Sequence, residues 1–159
     1  MDKHPKTTIL IIDDESHNLR MMVEFLEAQG FRILISQDGG SGRQRAAYAQ
    51  PDLILLDAIL PDIDGFALCQ QLKAQAETQE IPILFLTILT VPEDRLKALE
   101  VGAADYITKP VQWEELLLRI NTQLRMRALT QRLAEVEAQL AKLIASKEDY
   151  TDGRDKLIP

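Results

Sequence analysis

The chain has 159 residues, 46% of them apolar, which suits one compact domain with some length left over and argues against disorder. Its 25 acidic residues against 18 basic leave a net charge of −7, a poor balance for sequence-independent nucleic-acid binding, which relies on Lys and Arg to neutralise phosphates. The single cysteine, Cys69, rules out an internal disulfide and a cysteine-based metal site.

His4 reads as part of an N-terminal tail. The first apolar run, "TILII" (8–12), is too short for a signal-peptide core or a membrane span, so a cytoplasmic chain without membrane association is expected. It stops at Asp13-Asp14-Glu15. Leu19, Met22, Val23 and Leu26 then recur at helical spacing, with His17 solvated near the start of that helix. A weaker run, "FRILIS" (31–36), precedes a weak helix over 40–48 with Gly40 and Gly42 near its start. "LILL" (53–56) ends on Asp57. A loop with Pro61 follows, then Asp64-Gly65 and a stretch in which Leu68 and Leu72 make Cys69 a buried thiol. "IPILFLT" (81–87) ends on Thr87. The next helix carries Leu96 and Leu99; "TVPE" would open it, with Thr90 as cap, Glu93 closing a capping box and Pro92 in the first turn. "DYIT" (105–108) ends at Lys109-Pro110. Trp113, Leu116, Leu117, Ile120 and Leu124 mark the fifth helix.

Short apolar runs without polar alternation fit strands buried on both faces. Five of them alternating with five helices imply an α/β fold, a parallel sheet covered on both sides. Ligands of such sheets bind outside the carboxyl ends of the strands. Three carboxylates, a hydroxyl (Thr87) and an ammonium (Lys109) gather at that edge. Crowded carboxylates repel unless a cation intervenes, and a hard divalent ion with oxygen ligands, Mg²⁺ above all, meets that need. One acid is then free as a nucleophile, with Lys109 and Thr87 placed to contact phosphoryl oxygens. These are the parts of a phosphoryl-transfer site. Singly each has a structural use: Asp13-Asp14 as a cap, Thr87 as a strand-end hydroxyl, Lys109 as a surface charge, Asp64-Gly65 as a turn. Their joint occurrence at successive strand ends carries the functional reading.

The motifs "ILIIDDE", "LILLDAILPDIDG", "PILFLT" and "GAADYITKP" resemble the receiver domain of bacterial two-component response regulators across roughly residues 6–125. The resemblance implies a doubly wound, flavodoxin-like five-stranded parallel sheet of order 2-1-3-4-5. It implies that Asp57 accepts a phosphoryl group from the phosphohistidine of a sensor histidine kinase or a phosphotransfer protein. Asp14 would bind Mg²⁺ directly, Asp13 chiefly through water, Asp57 with its carboxylate and Ile59 with its backbone carbonyl. Lys109 would contact the phosphoryl group, with a cis bond to Pro110. Thr87 would swing toward the phosphoryl oxygen and Tyr106 would turn inward, switching the face formed by the fourth helix, fifth strand and fifth helix. The protein would catalyse its own phosphorylation, with no separate turnover substrate. Ile88 stands where the family usually has a small residue, and Val111 where it often has phenylalanine. Ile59 and Leu89 are apolar at two positions that in the family tune loss of the phosphoryl group to water, so a long-lived phosphorylated form is expected. A hydrolase with an aspartyl nucleophile would have a second aspartate two residues after the first, where Ile59 stands. A binding module keeping only the fold would have lost an acid or the lysine, and none is lost.

The receiver is expected over residues 1–125. Beyond it the helical pattern continues: Met126, Leu129, Leu133, Val136, Leu140 and Leu143 alternate by three and four residues, without proline or glycine. A helical extension over 126–148 that pairs with a second copy as a parallel coiled-coil homodimer is expected, its rival being a helix folded back on its own receiver. Residues 149–159 read as a polar tail. With no DNA-binding domain, nucleotide-binding loop or kinase histidine motif, direct nucleic-acid contact is not expected. The chain reads as a receiver cut from a longer protein or as one that signals by dimerising.

Overall fold

The computed structural model describes residues 6–155, so His4 and residues 156–159 lie outside it. In chain order the elements are β1 (Thr8–Ile12), α1 (Ser16–Ala28), β2 (Arg32–Ser36), α2 (Gly39–Ala49), β3 (Leu53–Leu56), α3 (Gly65–Ala74), β4 (Ile83–Thr87), α4 (Pro92–Glu100), β5 (Asp105–Thr108) and α5 (Trp113–Asp155). All strand pairs are parallel, in the order β2-β1-β3-β4-β5. No helix among the described residues is long and apolar enough to cross a membrane.

The unbroken apolar runs follow from the pleat. Successive side chains of a strand point to opposite faces, so a strand covered on both sides needs apolar residues at every position. Leu10, Ile12, Ile54, Leu56 and Phe85 join one core cluster with Ala46 of α2, Phe66, Leu68 and Leu72 of α3, and Ala98 of α4. Ile9, Ile11, Leu53, Leu55 and Leu84 join the other, with Leu19, Met22 and Leu26 of α1 and Leu116 and Ile120 of α5. Cys69 lies buried in the first cluster, and burial pushes its thiol pKa up to about 11.

Two helix starts are set by acids. Asp38 accepts from Ser41 N at 2.7 Å to cap α2, and Asp64 accepts from Phe66 N at 3.0 Å to cap α3. Gly65 follows because nothing larger fits: a Cβ there would lie 2.4 Å from the Asp57 carbonyl oxygen and 2.5 Å from Ala58 Cα. The opening of α4 differs from the expected capping box. Its N-cap is Val91 with no side-chain cap bond, because Pro92 takes the first turn, supplies no N–H, and moves the start one residue past Thr90. Leu96 and Leu99, which mark this helix in the sequence, are exposed, and Ala98 is its one buried residue. The tail expected from residue 149 is helical through Asp155.

By its contacts the chain divides into Met1–Leu124 and Arg125–Pro159, with α5 contributing to both units. In the second unit the apolar residues at three- and four-residue spacing are exposed.

Phe85 stacks between Phe66 and Tyr106 at centroid distances of 5.0 and 6.1 Å, at the centre of the first cluster. Phe85→Ala is expected to lower unfolding free energy by about 3–5 kcal/mol in urea denaturation. Leu34→Ala, on the partly buried edge strand, is expected to cost less than half of that.

Candidate functional site

The acids expected at the carboxyl edge meet there. Asp13 leaves β1 and Asp57 leaves β3, adjacent strands in register, with Ile12 opposite Leu56. Both are buried, Asp13 at 2% and Asp57 at 7% relative exposure. Asp14 is exposed. The three offer carboxylate oxygens within 4.8 Å of one another.

Lys109 stands between the two buried acids. Its Nζ donates to Asp13 Oδ2 at 2.8 Å and to Asp57 Oδ2 at 3.0 Å. The residue reaches that position from the end of β5, where its N–H donates to Thr87 O at 2.8 Å and its bond to Pro110 is cis. Each acid's other oxygen is held by a local backbone donor: Glu15 N on Asp13 Oδ1 at 2.9 Å, and Ile59 N on Asp57 Oδ1 at 3.0 Å. Burial raises the Asp13 pKa against the opposing pull of Lys109. Burial alone would lower that of Lys109, but hydrogen bonds and charges from Asp13 and Asp57 outweigh it, and the ammonium is held above its ordinary range.

A cleft of about 180 Å³ opens above this cluster, lined by Asp14, Glu15, Asp57, Ile59, Ile88 and Lys109. The donor set suits a hard divalent cation: three carboxylates from two strand ends, one of them exposed, beside a cleft wide enough for small ligands.

Of the other expected site residues, Thr87 is fully buried and is not among the residues lining the cleft, although the next residue, Ile88, is; the Thr87 Oγ1 accepts a long 3.4 Å bond from Leu89 N. Tyr106 lies inward, 4% exposed, with Thr87 still bonded to Leu89 N, whereas the resemblance implies an inward turn that follows a movement of Thr87; the Tyr106 hydroxyl donates to Leu89 O at 2.7 Å. Thr87 and Tyr106 thus grip the N–H and the carbonyl of one residue. Arg95 of α4 adds a third contact, its Nη2 donating to Tyr106 O at 3.3 Å and its guanidinium lying 5.8 Å from the ring centroid.

Two acids with structural partners escaped the sequence reading, one at the cleft and one outside it. Glu15 places its carboxylate 3.6 Å from Lys109 Nζ at the cleft mouth; its position directly after Asp13-Asp14 was the available signal. Asp62 accepts from Gly39 N at 2.8 Å and Gly40 N at 2.9 Å, tying the β3–α3 loop to the start of α2, and those two bonds lower its pKa. No local pattern announces that long-range contact.

A model of the response regulator receiver domain matches residues 9–121. The chain belongs to this family. Residues of this receiver are 42% identical over 117 positions to the DNA-binding dual master transcriptional regulator RpaA of Synechocystis, covering 74% of this chain and 48% of that protein. They are 35% identical over 147 positions to the response regulator PleD of Caulobacter vibrioides, covering 91% of this chain and 32% of that one. The chain therefore spans half or less of the length of these two relatives. It also resembles the receiver domain of the sensor histidine kinase PA1611 from Pseudomonas aeruginosa, whose structure holds a magnesium ion in its active-site cleft. That likeness has a TM-score of 0.70 and 28% identity, over 76% of this chain and 98% of the other.

Removing the ammonium leaves Asp13 and Asp57 buried without their cation, and stripping one partner from a buried ion pair costs about 3–5 kcal/mol. Lys109→Met is expected to lose stability on that scale in EDTA, and added Mg²⁺ is expected to return most of it. Thermal denaturation with and without MgCl₂ measures both effects.

Proposed function

We propose that this receiver takes a phosphoryl group onto Asp57 from the phosphohistidine of a sensor histidine kinase or a phosphotransfer protein. The observation that carries the reading is the buried ammonium of Lys109 shared by Asp13 and Asp57 under an open cleft, with Asp14 beside them. In this reading Asp13, Asp14 and Asp57 hold Mg²⁺ with the backbone carbonyl of Ile59, and the magnesium-bound receiver of PA1611 supports it. When bound, the ion offsets the charge that the acids and phosphoryl oxygens bring together.

The transfer needs little covalent work from the protein. An Asp57 carboxylate oxygen attacks phosphorus, the bond from phosphorus to the donor's imidazole nitrogen breaks, and the imidazole leaves with the electron pair and takes up a proton. Lys109, already 3.0 Å from Asp57 Oδ2, exchanges a carboxylate contact for one to a phosphoryl oxygen. The acceptor is part of the chain, so the reaction is stoichiometric, without a separate turnover substrate. Its donors act in the cytoplasm, where we place the protein.

Signalling follows from Leu89. If Thr87 turns its hydroxyl to the new phosphoryl oxygen, it gives up only a 3.4 Å bond to Leu89 N. The loop through Leu89 also receives the Tyr106 hydroxyl, and Arg95 connects Tyr106 to α4. The two ends of the exchange thus reach α4 and β5, and Arg119 of α5 donates to Asp105 of β5 at 3.0 Å; Leu96, Leu99 and Leu118 are exposed on α4 and α5. Moving such a switch from ~1% to ~99% occupancy takes about 5.5 kcal/mol of differential binding, a scale that charge-assisted hydrogen bonds from Thr87 and Lys109 together with ion coordination reach. The output passes to α5, whose stretch beyond Leu124 pairs with a second copy through its exposed apolar residues.

With Mg²⁺ and acetyl phosphate, mass spectrometry is expected to show one phosphoryl group per chain. Asp57→Asn or excess EDTA is expected to abolish it. Continuous phosphate release would indicate a hydrolase instead, and no reaction a binding module. Ile59 and Ile88 rim the cleft with apolar side chains that offer an attacking water no hydrogen bond. Ile59→Asn supplies one, worth about 1 kcal/mol, and is expected to shorten the acyl-phosphate half-life roughly fivefold; an unchanged half-life would refute the rim's role.

A further inference from the structure

The stripe on α5 carries enough chemical detail to orient its partner. Met126, Leu129, Leu133, Val136, Leu140 and Leu143 are each more than half exposed, at 53–68%. Their alternating three- and four-residue steps repeat every seven residues, and a strict seven-residue repeat makes two helices wind about each other with a left-handed twist. Met126, Leu133 and Leu140 then take one core position of the repeat, and Leu129, Val136 and Leu143 the other. A helix with an uncovered apolar stripe is marginal alone in water. A stripe of this period is matched along its whole length by another stripe of the same period.

We infer that two copies of this chain pair through α5 in parallel and in register, each Arg132 facing Glu137 of the other copy. The inference rests on the pairing of α5 proposed above and adds the register and the charge pair that fix the parallel direction expected from the sequence. In a parallel pair the residue before one core position faces the residue after the other core position in the partner's next repeat. That rule brings Arg132 to Glu137 twice by symmetry, Arg125 to Thr130, and Gln139 to Ile144. No like charges meet at these flanks. The antiparallel pairing that sets Leu133 against Val136 brings Arg132 to Gln139 and Glu137 to Thr130, so no opposite charges meet. Lys147 falls seven residues after Leu140, at the same core position of the next repeat. In a parallel pair it meets its own copy, and a lysine at one such position sets register and strand number at a cost in stability.

Single added cysteines decide the direction, against a low background because Cys69 is buried with its thiol pKa raised to about 11. Met126→Cys and Leu143→Cys, each made in the full chain, are expected to give covalent dimers on mild oxidation when tested separately. If neither bridges alone but the mixture of the two does, the pair is antiparallel, and the direction inferred here is overturned while pairing stands. If no combination bridges and sedimentation shows a monomer, pairing itself is overturned. The charge pair has its own readout. Arg132→Glu is expected to weaken dimerisation roughly fivefold by replacing two exposed attractions with two repulsions, and Arg132→Glu combined with Glu137→Arg to restore it. A double variant as weak as the single would overturn the register.

Discussion

The structure depends on one ammonium placed where two carboxylates are denied water. Asp13 and Asp57 sit at the ends of neighbouring central strands because those strands are buried on both faces, and strand ends are the first places where charge can surface. Their burial would be costly if Lys109 did not reach both from a third strand end. The same burial that makes the acids expensive makes their interactions strong, because a low local dielectric magnifies every charge in the cluster. A cluster so poised responds strongly to any ligand that rearranges its charges. This is the property the proposed phosphoryl acceptor needs.

The rearrangement has a short route outward. Leu89 is held on one side by the Thr87 hydroxyl and on the other by Tyr106, and the two bonds are unequal, 3.4 Å against 2.7 Å. The weak one is the one the proposed switch breaks; the strong one transmits the loop's position to the ring. Helix α4 is suited to follow. Ala98 is its one buried residue, so it can shift without opening a large cavity. Arg95 joins α4 to β5 through the Tyr106 carbonyl and ring. A thin seat and a charged tether are what a movable element requires.

The parts legible in the sequence are those governed by burial on both faces and by strand ends. The five strands, their order implied by resemblance, and the gathering of Asp13, Asp14, Asp57 and Lys109 all follow from runs of branched apolar residues that stop at a charge. Less legible were features decided by tertiary contact. Leu96 and Leu99 look like the seat of α4 by period alone, yet the small Ala98 is what fits against the sheet. Thr90 has the chemistry of a cap, and Pro92 displaces it. Asp62 and the Leu89 carbonyl gain their partners across loops, from residues far away in sequence. The inward placement of Tyr106, expected from the resemblance only as a response to Thr87, depends on the space between Phe85 and Leu89.

Exposed apolar side chains fall into three groups, and each calls for a different explanation. Ile59 and Ile88, at 48% and 61% exposure, rim a cleft lined by three acids and a lysine; there the gain from hiding them is small, and in the proposed reading they keep water from the acceptor. Leu96 and Leu99 lie on α4, which Arg95 ties to β5 through Tyr106, and Leu118 on α5, which Arg119 ties to β5 through Asp105, so in the proposed reading a partner covering them reads the switch. The stripe from Met126 to Leu143 has no acid cluster beside it and no switch beneath it, only a period. A period is recognised by another period. A surface that carries information only in its spacing and in one charge pair selects a partner of matching length and register, and a second copy of the same helix meets that condition without further design.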